Sequence, residues 1–144
     1  MEIERTIEIA APREQVWAVM SDVERWSEWT ASVTNVERLD AGPLRVGSQA
    51  RVRQPRLPAV VWTVTAVDTG RYFEWQNKRL GLKTIGGHRV ETRGNGAYVT
   101  LSLGWSGSLA PLIRLLYGAL SRRYVAMEAQ GLKRRCEANL SASR

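Results

Sequence analysis

His88, Tyr124 and Arg5 are the side chains of this chain best suited to chemistry on a small molecule. His88 is the single histidine, and histidine titrates unaided near neutral pH, which makes it a candidate general acid or base. Tyr124 offers a hydroxyl to polarise a carbonyl. Arg5 offers a cation for a carboxylate. Each has a plainer reading beside it. Strand alternation puts no carboxylate next to His88, and an inward histidine also suits a hydrogen-bonded core position. Arg5 is in register with Ile3 and Ile7, yet buried it would need an anion, and the strand could instead turn it into water. Tyr124 could simply pack.

Other chemistry is thin. One histidine and one cysteine, Cys136, are too few ligands for zinc, so no metal and no cofactor is expected. A lone cysteine makes no internal disulfide and suits a cytoplasmic protein. The stretch GWSGS at 104–108 lacks the glycine at 108 that a serine-hydrolase elbow needs. Gly86-Gly87 has no phosphate-loop spacing and reads as a bulge or bend in a strand.

The elements that must position these groups follow from periodicity. Residues 2–9 alternate, with Ile3, Ile7 and Ile9 opposite Glu2, Glu4, Thr6 and Glu8, as a half-buried strand does. An acidic, alternating start is not expected to act as a signal peptide. Pro12 and Glu14 suit the first turn of a helix that places Val16, Val19, Met20 and Val23 on one face. Asp22 suits the N-cap of a second short helix carrying Trp26 and Trp29. Strand-like runs follow at 33–39, 48–54, 60–67, 72–78, 82–93 and 97–105, broken by the turn sequences DAGP, DTG and RGNG. In the last, Asn95-Gly96 is expected to supply the left-handed residues of a hairpin. From 109 to about 139, Leu109, Leu112, Ile113, Leu116, Leu120, Tyr124 and Met127 recur at helical spacing. The compact solution is one α+β domain over 1–144: a curved seven-stranded antiparallel sheet around a long C-terminal helix, with two short helices after strand 1.

Alternation then gives the concave face: Ala50, Val52 and Gln54; Trp62, Val64 and Ala66; Phe73, Trp75 and Asn77; Thr84, His88, Val90 and Thr92; Val99, Leu101, Leu103 and Trp105. With Leu120, Tyr124 and Met127 from the helix, and Trp29 at the mouth, these residues form an apolar lining with sparse polar groups, as small-molecule sites have. Trp26 and Trp29 could equally plug the open end of the sheet.

The opening IEIAAPREQVWAVMSDVERWSEW resembles that of the polyketide cyclase/dehydrase family of the SRPBCC superfamily, the START-like, birch-allergen-like helix-grip domains. FEW at 73–75, HRVE at 88–91 and GLKRRCE at 131–137 are similar too, so the resemblance spans nearly the whole chain. It implies a hydrophobic cavity between sheet and helix, and no particular reaction.

The chain carries a net charge of +7. From 108 to 144 there are seven Lys or Arg (114, 122, 123, 133, 134, 135 and 144) against Glu128 and Glu137. A solvated helix face accounts for this, and nucleic acid is not the expected partner. The expected partner is a hydrophobic small molecule, carried or bound; a cyclase or dehydratase acting on a polyketide-like substrate is the alternative. A further alternative is a basic interaction protein at a ribosome or anionic membrane, since PLIRLLYGALSRRY is amphipathic enough for peripheral membrane contact. Monomer and homodimer both fit.

Overall fold

The computed structural model describes residues 2–142; Arg144, counted above in the basic tail, lies outside them. Strand β1 (Ile3–Ile9) leads into helix α1 (Arg13–Ser21) and a short 3-10 helix (Val23–Glu28). Then come β2 (Asn35–Arg38), β3 (Gln49–Arg53), β4 (Val60–Asp68), β5 (Tyr72–Arg79), β6 (Leu82–Arg93), β7 (Gly96–Ser106) and helix α2 (Ala110–Ala142). The sheet is seven-stranded in the order β1-β7-β6-β5-β4-β3-β2, and every neighbouring pair is antiparallel. Strands β2 to β7 form a meander, and β1 closes on β7 at the far edge. The sheet and the long helix make the helix-grip architecture expected from the element order.

Two apolar surfaces meet along the axis of the sheet. Val64, Phe73, Val90, Val99 and Leu101 from its concave face are buried, as are Val16, Met20 and Val23 from the two short helices and Ala129, Leu132 and Cys136 from α2. Helix α2 passes so close to the end of the 3-10 segment that a Cβ at Gly131 would lie 2.1 Å from the Trp29 carbonyl oxygen. Asp22 stands at the N-cap of that segment, but its carboxylate faces Arg25 (3.5 Å) and caps no backbone N–H.

Four local expectations are corrected. The bulge falls in β4, where the register shifts between Val64 and Ala66, so Val67 packs on the core in place of Ala66. Register through Gly86 and Gly87 is unbroken. These glycines make room for neighbours: a Cβ at Gly86 would lie 3.1 Å from Trp75 Nε1, and one at Gly87 2.5 Å from Ser102 Oγ. At the β6–β7 hairpin the left-handed residue is Gly94 (φ +58°), not Asn95 or Gly96, as in a two-residue turn led by glycine. Thr92, expected inward, is exposed beside this turn.

The inward face of α2 also differs from the leucine stripe. Leu112 and Leu116 are 50% and 62% exposed, whereas Ile113, Tyr117, Ser121, Tyr124, Val125 and Glu128 face the sheet across a cavity. Both stripes have helical spacing, and leucine content points to the wrong one.

Candidate ligand cavity

Between α2 and the concave sheet lies a cavity of ≈ 430 Å³. That is toward the lower end of small-molecule sites, about 300–1,000 Å³. Alternate residues of the central strands line it: Val52 from β3 with Gln54 just beyond, Trp62 from β4, Trp75 and Asn77 from β5, Thr84, Gly86 and His88 from β6, and Leu103 and Trp105 from β7. Period-two alternation is what brings them to one face. Leu57, Pro58, Leu80 and Leu109 lie at the mouth, next to the β3–β4 loop, the β5–β6 turn and the start of α2. Strand by strand, Asn77 to Trp75 and Thr84 to His88 run inward from that turn.

The inner end is aromatic. Trp26 lines it, its indole N–H donating to the Met20 carbonyl at 3.0 Å, with Trp29 at 5.8 Å and Trp75 at 5.3 Å between ring centroids. Trp62 stacks on Trp75 at 5.5 Å and 28°. Gly86, opposite Trp75, leaves space for that indole.

His88 sits within this box. Its ring stacks on Phe73 at 4.1 Å and 9° and meets Trp26 and Trp75 at 5.4 and 5.5 Å. Nδ1 lies 3.3 Å from the Phe73 carbonyl oxygen. A carbonyl can only accept, so Nδ1 carries the proton and Nε2 keeps a lone pair. Nε2 is 3.6 Å from Glu128 Oε1. Burial pulls the imidazole down to about 3, only partly opposed by the Phe73 hydrogen bond, and pushes the Glu128 carboxyl up to about 8. Desolvation penalises the charged form of each group. Both shifts favour the neutral pair, a carboxylic acid facing a neutral imidazole, over the ion pair. The Glu128 side chain is 17% exposed and lines the cavity, so the acid is presented to whatever enters.

Alternation turns no carboxylate of the neighbouring strands inward, Glu74 of β5 lying on the other face from Phe73 and Trp75, and the partner of His88 comes from α2 instead. The available signal was the spacing 117, 121, 124, 128, which puts Glu128 on one stripe with two tyrosines and a serine.

The remaining expected site residues divide cleanly. Val52, Gln54, Trp62, Trp75, Asn77, His88, Leu103, Trp105 and Tyr124 line the cavity. Val64, Phe73, Val90 and Leu101 are on the expected face but wholly within the core. Trp29 is 8% exposed and packs beside Gly131, and it is Trp26, not Trp29, that reaches the cavity. Leu120 and Met127 are half-buried on α2, outside the lining. Arg5 is exposed, because an edge strand lets a guanidinium reach water. The Tyr124 hydroxyl donates to the Pro55 carbonyl and so ties α2 to the loop at the mouth. Cys136 is 1% exposed, and burial pushes its thiol up to about 12.

A sheet wrapped on a long C-terminal helix over an apolar cavity defines the class of START-like helix-grip proteins. Within it the chain belongs to the family described as polyketide cyclase / dehydrase and lipid transport, whose model matches residues 1–142. A putative polyketide cyclase of Streptomyces halstedii is 30% identical over 105 residues, 71% of this chain and 83% of that protein. The Zhui aromatase/cyclase from Streptomyces sp. R1128 has the same fold at 17% identity, with a TM-score of 0.74 over 96% of this chain and 94% of that one. A START superfamily protein from Mycobacterium smegmatis has it at 17% identity, with a TM-score of 0.74 over 94% and 97%. No helix among the described residues is long and apolar enough to cross a membrane.

Proposed function

We propose that the protein binds a flat, largely apolar molecule, aromatic or polyketide-like, with an oxygen seated at the inner end of the cavity. The observation that carries this reading is the His88–Glu128 pair. An aromatic box holds a hydrogen-bond acceptor, Nε2, 3.6 Å from a carboxylic acid. A ligand hydroxyl could donate to the first and a ligand carbonyl accept from the second, while Trp62 and Trp75 offer ring faces. No cofactor is needed for binding of this kind, and the cytoplasm remains the compartment that the lone buried thiol suits.

The test is native mass spectrometry of gently purified protein, before and after exposure to naphthoquinones, flavonoids and fatty acids. The reading expects a mass gain that Trp62→Ala and His88→Ala weaken in a folded protein. A bare mass under every exposure would overturn it.

The same pair favours a second reading, acid–base catalysis of dehydration in a cyclase. Nε2 would take the proton next to a carbonyl, Glu128 would protonate the departing β-hydroxyl, and an enone and water would result. The imidazolium and carboxylate so formed lie close enough to exchange the proton and restore both neutral groups. Positioning by the cavity would supply much of the remaining rate. In this reading Glu128→Gln retains ligand and loses turnover, whereas in a pure carrier the bound compound is recovered unchanged from the parent protein.

A further inference from the structure

We propose that the rim of the cavity docks on an anionic lipid bilayer, with Leu80 and Leu115 entering its apolar region. Leu80, at the β5–β6 turn, is 98% exposed. The Leu109 N–H donates to the Gly81 carbonyl at 2.8 Å, so this turn is fixed to the start of α2. There Leu112, Leu115 and Leu116 are 50%, 80% and 62% exposed. They share the outward face of the helix by their spacing of three and four. These three form an apolar ridge on the first turns of α2, and Leu80 stands on the turn fixed to its start, more exposed leucine than single scattered side chains would present.

The charge around the ridge selects the partner. The segments 53–59, 76–85 and 105–127 contain no aspartate or glutamate. Arg56, Lys78, Arg79, Arg122 and Arg123 are exposed on them. Glu2, the acid that reaches this end, is paired with Arg114. A leucine ridge set among cations matches the surface of an anionic membrane, where apolar burial and attraction to headgroups add. A second copy of the chain would bring like charge against like charge. The docking rests on the reading of the cavity as an apolar-ligand site for its purpose, since it would set the mouth where such a ligand partitions.

The test is cosedimentation of ligand-free protein with vesicles of phosphatidylcholine, alone or mixed with phosphatidylglycerol, over a range of salt. Binding is expected on the mixed vesicles, falling as salt rises. Leu80→Ser or Leu115→Ser should each weaken it roughly tenfold, the loss of one buried leucine. Arg79→Gln should weaken it about fivefold. Val46→Ser, an exposed site (66%) on the loop before β3 at the opposite end of the sheet, should not change it. Absence of binding to mixed vesicles at low salt overturns the proposal, as does binding that both leucine variants retain in full. Sedimentation velocity showing a dimer that these variants dissociate would also overturn it, by assigning the ridge to a second copy. Small-molecule uptake measured without vesicles separates the two readings. Uptake with no vesicle binding removes the docking alone. Vesicle binding with no uptake supports the docking and removes the ligand reading.

Discussion

His88 and Glu128 face each other 3.6 Å apart across the inner end of the cavity, and burial drives their pKa values in opposite directions, to about 3 and about 8. A pair held neutral on both sides is a poor contributor to stability as an ion pair. It is well suited to exchanging hydrogen bonds with a guest.

The sign of the pH dependence follows. Glu128 is raised above its ordinary 4.5, so its contribution is full below that value and is lost as pH rises toward 8. His88 is depressed below 6.5, so its contribution is full above that value and is lost as pH falls toward 3. Between these limits the two slopes cancel. Stability should show a plateau between about 4.5 and 6.5 and fall on either side. Urea unfolding across pH should lose its alkaline limb in Glu128→Gln and its acid limb in His88→Asn. An unchanged alkaline limb in Glu128→Gln would mean that the carboxyl ionises normally in the folded protein.

Truncating two neighbouring aromatics should separate packing from binding. Phe73 is fully buried and Trp62 is half-buried against the cavity. Phe73→Ala should cost about 3–5 kcal/mol in chemical denaturation. Trp62→Ala should cost less than about 2 kcal/mol, since it mostly enlarges space already present. It should still weaken uptake of an aromatic ligand by tenfold or more. Equal stability losses would show that Trp62 belongs to the core.

Gly131→Ala tests how tightly α2 is gripped. The added Cβ would meet the Trp29 carbonyl at 2.1 Å, and that neighbour is backbone, which cannot swing away. Overpacking of this kind costs about 1–3 kcal/mol, despite alanine's better helix propensity. Thermal unfolding gives the answer: a variant as stable as the parent would mean that the helix can shift outward freely.

The Tyr124 hydroxyl holds the Pro55 carbonyl at the mouth, so Tyr124→Phe should release the 54–59 loop. A loss of about 1 kcal/mol is expected, with faster amide exchange at Arg56 and Leu57 and faster ligand dissociation. Unaltered exchange in that loop would remove Tyr124 as its tether.

Strand boundaries are legible because a half-buried antiparallel sheet writes its alternation directly into the chain: alternation predicts a strand over 82–93, and β6 spans Leu82–Arg93. The inner faces of β3, β5 and β7 followed for the same reason. Where period two breaks, alternation misassigns the face, and the bulge near Ala66 carries no turn residue to announce it. On α2 the obstacle was different. A helix beside a cavity does not have to bury its most apolar face, and here Leu112 and Leu116 look outward while Glu128 looks in. Of the two tryptophans, Trp26 lines the cavity and Trp29 packs in the core, the reverse of what their spacing suggests. The 3-10 segment ends at Glu28, and Trp29 leaves it at φ −128°, so the two side chains no longer project alike.

The pairing of β1 with β7 has a bearing on how the molecule is made. Ile3 faces Leu103, and Ile9 faces Ala97, so the earliest of the seven strands to be synthesised finds its partner only after the other six exist. Pairings this distant in sequence form slowly. Until then, the glutamates between its isoleucines keep an unpaired strand from meeting others of its kind. The charges on that strand serve the nascent chain as much as the finished one.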